Sequence, residues 1–365
     1  MKKFTFFTKL FFGINSLFAI ALLLSYYAGN VSPHSFWPIA FLGLALPYLF
    51  VVNILFTLGW MLAGNKRLLL SLIVLILGYQ SLPKIIQFNA VGKISASAIK
   101  IMSHNVRLFD LYLWQDDRSA RNEIFKVIRE ENSDILCLQE FYFSEDQTYE
   151  FKTLDSLLTY PGNKFVHDEY SYIKGPNKWG IATFSRYPIV GKGRVPFEDG
   201  DHNICIYTDI KTPTETIRVY NFHLASIRLE SVDYKTIDDV YANSFSSYLG
   251  NEQLLINKLK GAFQRRAEQV AKIKESIERS PYKVVLSGDM NDTPTSFAYH
   301  ELSDSLTDSF IEAGRGIGQT YIGKFPSFRI DYILHDASFT TERYETLPQK
   351  LSDHHPITAH INLGE

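Results

Sequence analysis

Carboxylate, amide and imidazole side chains recur just beyond short apolar runs in the last two thirds of this 365-residue chain. Asn105 follows the run Ile99–His104, Gln139-Glu140 follows Asp134–Leu138, and His223 follows Thr216–Phe222. Gly288-Asp289-Met290-Asn291-Asp292 follows Lys283–Ser287, and Asp331 sits within Arg329-Ile330-Asp331-Tyr332. Ser352-Asp353-His354-His355-Pro356 precedes the last run, Ile357–Ile361. If these runs are central strands of two stacked sheets, their ends meet at one cleft. The resulting set is rich in oxygen and poor in sulfur. It suits a hard divalent cation such as Mg²⁺ or Mn²⁺ better than structural zinc. An imidazole with an ordinary pKa of about 6.5 suits proton transfer at neutral pH.

The elements that must position these residues follow from hydrophobic spacing. Further strands are expected at Trp179–Phe184 and Asn203–Ile210. Ser119–Glu131 reads as a helix with Ile124, Val127 and Ile128 on one face, and residues 251–279 as two amphipathic helices broken near Gly261. Strands and helices mix without strict alternation, which favours an α+β sandwich over a doubly wound parallel sheet. Taken singly, the polar residues have plain explanations. Asp289 and Asn291 suit a turn, Glu140 a surface, Asp353-His354 the start of a strand, and Asp331 a partner for Arg329. His104, His355 and Cys137 read as structural. The joint order of the others is what points to chemistry.

The first part of the chain is a different material. Residues 1–97 hold seven basic side chains and no Asp or Glu, so the remainder carries 30 bases against 39 acids, a net −9. The first part excludes a wholly soluble reading, and the second argues against a non-specific nucleic-acid binder, which needs a basic surface. A helical span needs about 20 apolar residues, and residues 1–90 offer three, at about 10–28, 36–63 and 68–88. Lys84 lies in the last turns of the third, where it can snorkel. Pro47 and Asn53 in the second are compatible with a packed anchor helix, and the lack of acids argues against a cation-coupled transporter. Residues 91–98 read as a linker and 99–365 as one catalytic domain. Two cysteines, Cys137 and Cys205, exclude a disulfide scaffold.

The ordered motifs resemble the endonuclease/exonuclease/phosphatase superfamily. They run from Asn105 through Gln139-Glu140, His223, Gly288–Asn291 and Arg329–Tyr332 to Ser352–Pro356, with Asn177–Pro188 as the middle segment and Thr320-Tyr321 before Arg329. The resemblance covers about 99–362 and implies a four-layered α/β sandwich of two mixed β-sheets with a metal-dependent phosphoesterase site between them. Carried over, Glu140 is the principal metal ligand and Asp353 completes the metal site. Asp289 orients and polarises the attacking water, Asn291 beside it holds a phosphate oxygen, Asn105 fixes the phosphate or Asp289, and His223 donates to a phosphoryl oxygen. His354, held by Asp331, stabilises the transition state or protonates the leaving group. Arg107 and His223 depart from the abasic-site nuclease pattern. Residues 227–262 form an insertion that reads as a lid, with Tyr234, Tyr241, Phe245, Tyr248 and Leu249, or as a surface excursion.

The sequence therefore leads to a membrane-anchored, Mg²⁺- or Mn²⁺-dependent hydrolase of a phosphodiester or phosphomonoester. The rivals are a metal-dependent nuclease and an inactive membrane-tethered binding module. The expected partners are a phosphate-ester substrate, as a lipid headgroup or nucleic acid, and membrane lipids; no protein partner can be inferred. Lys2, Lys3, Lys9, Lys66 and Arg67 flank the spans so that residues 98–365 would face the periplasm or exterior.

Overall fold

The N-terminal apolar runs form helices, in the order α1 (Phe6–Ser25), α2 (Pro33–Phe36), α3 (Pro38–Leu44), α4 (Leu46–Leu62) and α5 (Leu68–Leu77). The computed structural model describes residues 6–112, 119–146, 151–198, 202–227, 251–323 and 328–364. Of the three expected spans, one helix, Phe6–Asn30 with its closing 3₁₀ turn, is long and apolar enough to cross a membrane. The second is broken, with α3 and α4 meeting at 65°. Pro47 has no N–H to give the carbonyl of Gly43, so the helix cannot run through. The third is the ten-residue α5, about 15 Å long, too short for a core of about 30 Å. It stops at Gly78 and continues as a 3₁₀ turn, Tyr79–Lys84, that contains Pro83.

Polarity in this bundle is inverted. Asn15, Asn53 and Ser71 are buried, while Phe7, Leu17, Leu55, Leu62 and Ile76 are exposed. Asn15 Nδ2 donates to Ser71 Oγ, and Ser71 Oγ donates to Asn53 Oδ1 at 2.9 Å. Trp60 Nε1 closes the set on Asn15 Oδ1 at 2.9 Å, so hydrogen bonds join α1, α4 and α5.

Beyond the bundle, two six-stranded sheets face each other. One has the order β13 (Thr340–Thr346), β14 (Ile357–Asn362), β2 (Ile99–Asn105), β3 (Ile135–Ser144), β5 (Asn177–Ser185), β4 (Phe165–Lys174). The other runs β10 (Leu306–Asp308), β12 (Asp331–Asp336), β9 (Val284–Asp289), β8 (Thr216–His223), β7 (Ile204–Lys211), β6 (Ile189–Val195). Both are mixed, with parallel pairs β2/β3 and β8/β9 at their centres. Between them lies an aliphatic core that includes Ile101, Cys137, Val219, Val285 and Ile357. Helices α6 (Ala120–Glu131) and α7 (Thr153–Leu158) cover the first sheet, with Ile124 and Leu157 in one core. Helices α8 (Asn251–Glu278) and α9 (Phe297–Ser303) cover the second. A short α10 (Ser309–Ala313) follows.

Where two helices were expected, α8 runs unbroken through Gly261. A helical glycine costs about 1 kcal/mol, and burial of Leu259, Ala262, Phe263 and Val270 along one face outweighs it. The centre of the 227–262 insertion lies outside the described residues, including Tyr234, Tyr241, Phe245, Tyr248 and Leu249.

The bundle is bolted to the sandwich. The Gly43 carbonyl that Pro47 leaves without its helical donor accepts from Thr295 Oγ1 at 2.8 Å. Arg329 is buried, pairs with Asp308 at 2.7 Å and donates to the carbonyl of Lys84 at 3.1 Å. Its partner is thus Asp308 and not Asp331. The Lys84 amine lies 5.4 Å from the Tyr299 ring centre, turned to the sandwich. Residues past the bundle are held too: β1 (Gln87–Phe88) pairs with β11 (Arg315–Gly316), and Ser95 N donates to Glu342 at 2.6 Å. Breaking a buried ion pair from one side costs about 3–5 kcal/mol. Arg329→Met is therefore expected to lower the unfolding free energy by about that much in detergent. A loss under about 1 kcal/mol would show that this bolt carries little.

Candidate active site

The site forms where the central strands of both sheets end on the same side. In the first sheet, Asn105 and Gln139 are register partners at the ends of parallel neighbours. In the second, His223 is opposite Asp289 in the parallel pair, and Asp331 is opposite Asp289 in the antiparallel one. Each strand was expected to deliver one polar residue, and the registers bring these residues together.

Local backbone does the aiming. The β3/β5 ladder shifts register between Leu138 and Phe141, and Glu140 within this bulge has φ +48°. The bulge releases Glu140 from the pleat and turns its carboxylate to the cleft. Asn291 has φ +54°, and Arg107, Leu108, Phe109 and Asp110 are successive left-handed residues. Such conformations cost about 1–3 kcal/mol each and collect at functional sites. Gly288 meets a different constraint, because a Cβ there would lie 2.1 Å from the Phe222 carbonyl oxygen.

Asn105 is the hub. Its Nδ2 donates to Glu140 Oε1 at 3.1 Å and to Asp289 Oδ2 at 3.0 Å, while its Oδ1 accepts from Arg107 N at 3.0 Å. Asp289 Oδ1 accepts from Asn291 N at 2.8 Å, and Asn291 Nδ2 donates to the Leu224 carbonyl at 3.0 Å. His223 Nε2 stands 3.7 Å from Glu140 and 3.6 Å from Asp289. His354 Nδ1 bonds Asp331 Oδ2 at 2.9 Å, and its Nε2 points to Asp289 Oδ2 at 3.7 Å. Tyr321 packs edge-on against the His354 ring, centroids 5.3 Å apart. Thr320 Oγ1 accepts from the backbone N–H of Ile330 and Asp331, fixing the start of β12.

Burial sets the electrostatics. It raises the Asp289 carboxyl above its ordinary pKa, against the pull of His354. Burial also opposes a charge on His354, but the carboxylates of Asp331 and Asp289 outweigh it and raise the imidazole well above its usual value. Asp353 is raised by burial and further by the charge of Glu140, although Arg107 Nε lies 3.4 Å away. His104 is pushed down to about 3 by burial and stays neutral, beneath the site. His355 Nδ1 is spent on the Gln349 carbonyl, and Cys137 and Cys205 are buried thiols.

The residues fit a hard divalent cation. Glu140 and Asp353 repel one another across a cleft edge that such an ion would neutralise. Donor atoms of Asp289, Asp331 and His354 also lie within 4.8 Å of one another, and among the described residues Asp331 Oδ1 has no hydrogen-bond partner. The Asp331–His354 hydrogen bond gives that second group the form of a proton-transfer pair. Arg266 and Asp292, which buttress the site from α8 and the loop after β9, were not anticipated. The available signal was Arg266 itself, a charge on the apolar face that carries Phe263 and Val270.

Two mixed sheets that present an acid–amide–imidazole centre at one edge define a class of phosphate-ester hydrolase folds. The chain belongs to the Endonuclease/Exonuclease/phosphatase family, which it matches over residues 102–354. Members of that family are typically hydrolases of phosphate esters and depend on divalent metal. Residues 8–85 match a domain of unknown function, DUF8431. An endonuclease/exonuclease/phosphatase structure from Beutenbergia cavernae superposes with TM-score 0.53 at 18% identity, over 73% of this chain and 72% of that one. A family protein from Leptotrichia buccalis gives 0.52 at 18%, over 72% and 99%. Humanized D. rerio TDP2 gives 0.51 at 14%, over 73% and 100%. No curated protein matches the chain. These likenesses are of fold.

Asp331→Asn keeps the shape but offers an N–H where His354 needs an acceptor. Turnover is expected to fall by about 10²–10⁴-fold with the melting temperature nearly unchanged. Loss of activity only in step with loss of folded protein would make Asp331 structural.

Proposed function

We propose that this chain is a membrane-tethered, divalent-cation-dependent phosphoesterase that cleaves a phosphodiester or phosphomonoester by in-line attack of water. The observation that carries the reading is the convergence of Asn105, Glu140, His223, Asp289, Asn291, Asp331 and His354 from both sheets on one centre. Glu140, with Asp353, would hold Mg²⁺ or Mn²⁺, which would polarise a phosphoryl oxygen and offset its growing charge. Asp289, with its raised pKa, takes a proton from water as the oxygen–phosphorus bond forms. His354, kept protonated by Asp331, delivers a proton to the departing oxygen as the opposite bond breaks. His223 would donate to an equatorial oxygen, whereas Asn291, expected to do the same, spends its Nδ2 on the Leu224 carbonyl and would instead fix Asp289 through its backbone N–H.

The tether is supported by the long apolar α1 and by the apolar exterior and polar interior of the bundle. Hydrogen-bonded polar side chains between helices are how membrane bundles fix their contacts. We extend this to α4, and to α5 together with its 3₁₀ continuation, beside α1, with the catalytic domain outside the cytoplasm, because Lys2, Lys3, Lys9, Lys66 and Arg67 lie at the ends away from that domain and outweigh Lys84 and Lys93 on its side. The substrate proposed is a phosphate ester carried by a lipid. Support comes from the bundle's bond to Thr295, four residues beyond Asn291, and from the net −9 of residues 98–365, which disfavours a nucleic acid polyanion.

Two experiments test this reading. Purified protein with Mg²⁺ or Mn²⁺ should release phosphate or headgroup from phospholipid vesicles and do so poorly from DNA or RNA. EDTA should abolish turnover, and Glu140→Gln should lower it by several orders of magnitude; full activity in excess chelator would end the metal reading. Alkaline phosphatase fused after residue 98 in bacteria should be active. An inactive fusion beside a fluorescent cytoplasmic one would reverse the orientation.

A further inference from the structure

One buried cation lies outside the catalytic set yet holds both of the loops that carry it. Arg266, on α8, is 1% exposed. Its Nε donates to Asp292 Oδ2 at 2.8 Å, and its Nη1 donates to the Ala225 carbonyl at 2.7 Å. Asp292 is next to Asn291 in the loop after β9, and Ala225 is two residues past His223 in the loop after β8. From the next turn of α8, Gln269 Oε1 accepts from Ala225 N at 2.9 Å. Between the same loops, Asn291 Nδ2 donates to the Leu224 carbonyl and Leu224 N to the Asp289 carbonyl. A lysine cannot reproduce this arrangement, because only a guanidinium presents two donors in a fixed fork.

The other side of Arg266 faces the bundle. Its guanidinium carbon lies 5.1 Å from the Phe263 ring centre, and Phe263 meets Phe41 of α3 edge-on at 5.5 Å. Helix α2 grips the same helix elsewhere, through His34 on Glu268 at 3.1 Å and the Pro33 carbonyl on Gln264 at 3.5 Å. A contiguous path therefore runs from α3 through Phe263 and Arg266 to the backbone beside His223 and Asn291.

We propose that Arg266 is a positioning residue for the phosphoesterase centre, locking the loops after β8 and β9 in register, and that Phe41 of the N-terminal bundle braces it through Phe263. The bundle is then part of the catalytic scaffold as well as a tether. The kinetic part of this inference rests on the hydrolase reading given above; the positional part does not.

The test uses the full chain in detergent micelles. Arg266→Lys keeps a charge opposite Asp292 and so retains the fold. Its kcat on bis(p-nitrophenyl) phosphate with Mn²⁺ should fall about 10–100-fold, with KM changed less than about threefold. Phe41→Ala should lower kcat about 3–10-fold. Asn53→Leu, which loosens the bundle without touching α8, should leave kcat unchanged. Ring signals of ¹⁵N-labelled histidine, recorded without metal or substrate, should show the His223 resonance displaced in Arg266→Lys and in Phe41→Ala, but not in Asn53→Leu. A wild-type protein that hydrolyses nothing yet shows these displacements would sink the hydrolase reading and leave the lock standing. Wild-type kcat and an unmoved His223 signal in Arg266→Lys would overturn the lock. Equal effects of Phe41→Ala and Asn53→Leu would overturn the brace.

Discussion

The amide group of Asn105 spans the seam between the two sheets, and the site depends on it. One Nδ2 donates to Glu140 in its own sheet and to Asp289 in the other, at 3.1 and 3.0 Å. A buried carboxylate is tolerated only when its oxygens are satisfied, and Asp289 is fully buried. Its other oxygen takes the backbone N–H of Asn291, and His354, raised well above its usual pKa, supplies the nearby positive charge. Because side chains alternate faces along a strand, a slip of one residue in either parallel pair would carry Asn105 or Asp289 away from the seam. The register is thus set twice, by the aliphatic core between the sheets and by the need to satisfy these carboxylates.

That need explains where the backbone departs from regular geometry. Glu140 and Asn291 are both in the left-handed region, and Arg107–Asp110 form a left-handed turn directly after Asn105. The hydrogen bonds that hold these conformations are the ones that build the site. Asn105 Oδ1 takes the N–H of Arg107, and Asp289 Oδ1 takes the N–H of Asn291. Strain and catalytic geometry therefore share the same bonds.

These relations also account for what was legible in the sequence. Eight strands were readable as short apolar runs, and in β2, β3, β8 and β9 the polar residue that closes the run belongs to the site. In the two sheets β10, of only three residues, was missed, as were strands β4, β6 and β13. Their burial is partial and irregular, and β6, with Gly191, Lys192 and Gly193, carries little apolar signal. The expected break in α8 overestimated one glycine against a long buried face. The third span failed because hydropathy counts Leu68–Phe88 as continuous, whereas Gly78 packs against Tyr26 and Pro83 ends regular helix. The charge of Arg266 on an apolar helix face was visible, but its pairing with Asp292, 26 positions away, was not, because neither segment alone names its partner.

The break at Pro47 is a defect only if α3 and α4 are considered alone. Proline removes the donor for the Gly43 carbonyl, and the absence of a side chain at Gly43 lets Ala28 and Thr295 approach, since a Cβ there would lie 2.7 Å from Ala28 Cβ. The freed carbonyl then accepts from Thr295. Past the same bend α3 comes beside α8, where Phe41 reaches Phe263. A helix that ran straight through this point would satisfy its own carbonyl and offer the sandwich nothing polar to hold. With the Arg329 bond to Lys84 and the β1/β11 pair, the bundle is fixed to the sandwich at several separated points. A flexible leash would let the cleft turn freely, whereas these contacts give it one orientation relative to the helices. On the membrane-tethered reading proposed above, that orientation would select substrates by where they sit relative to the bilayer as well as by their chemistry.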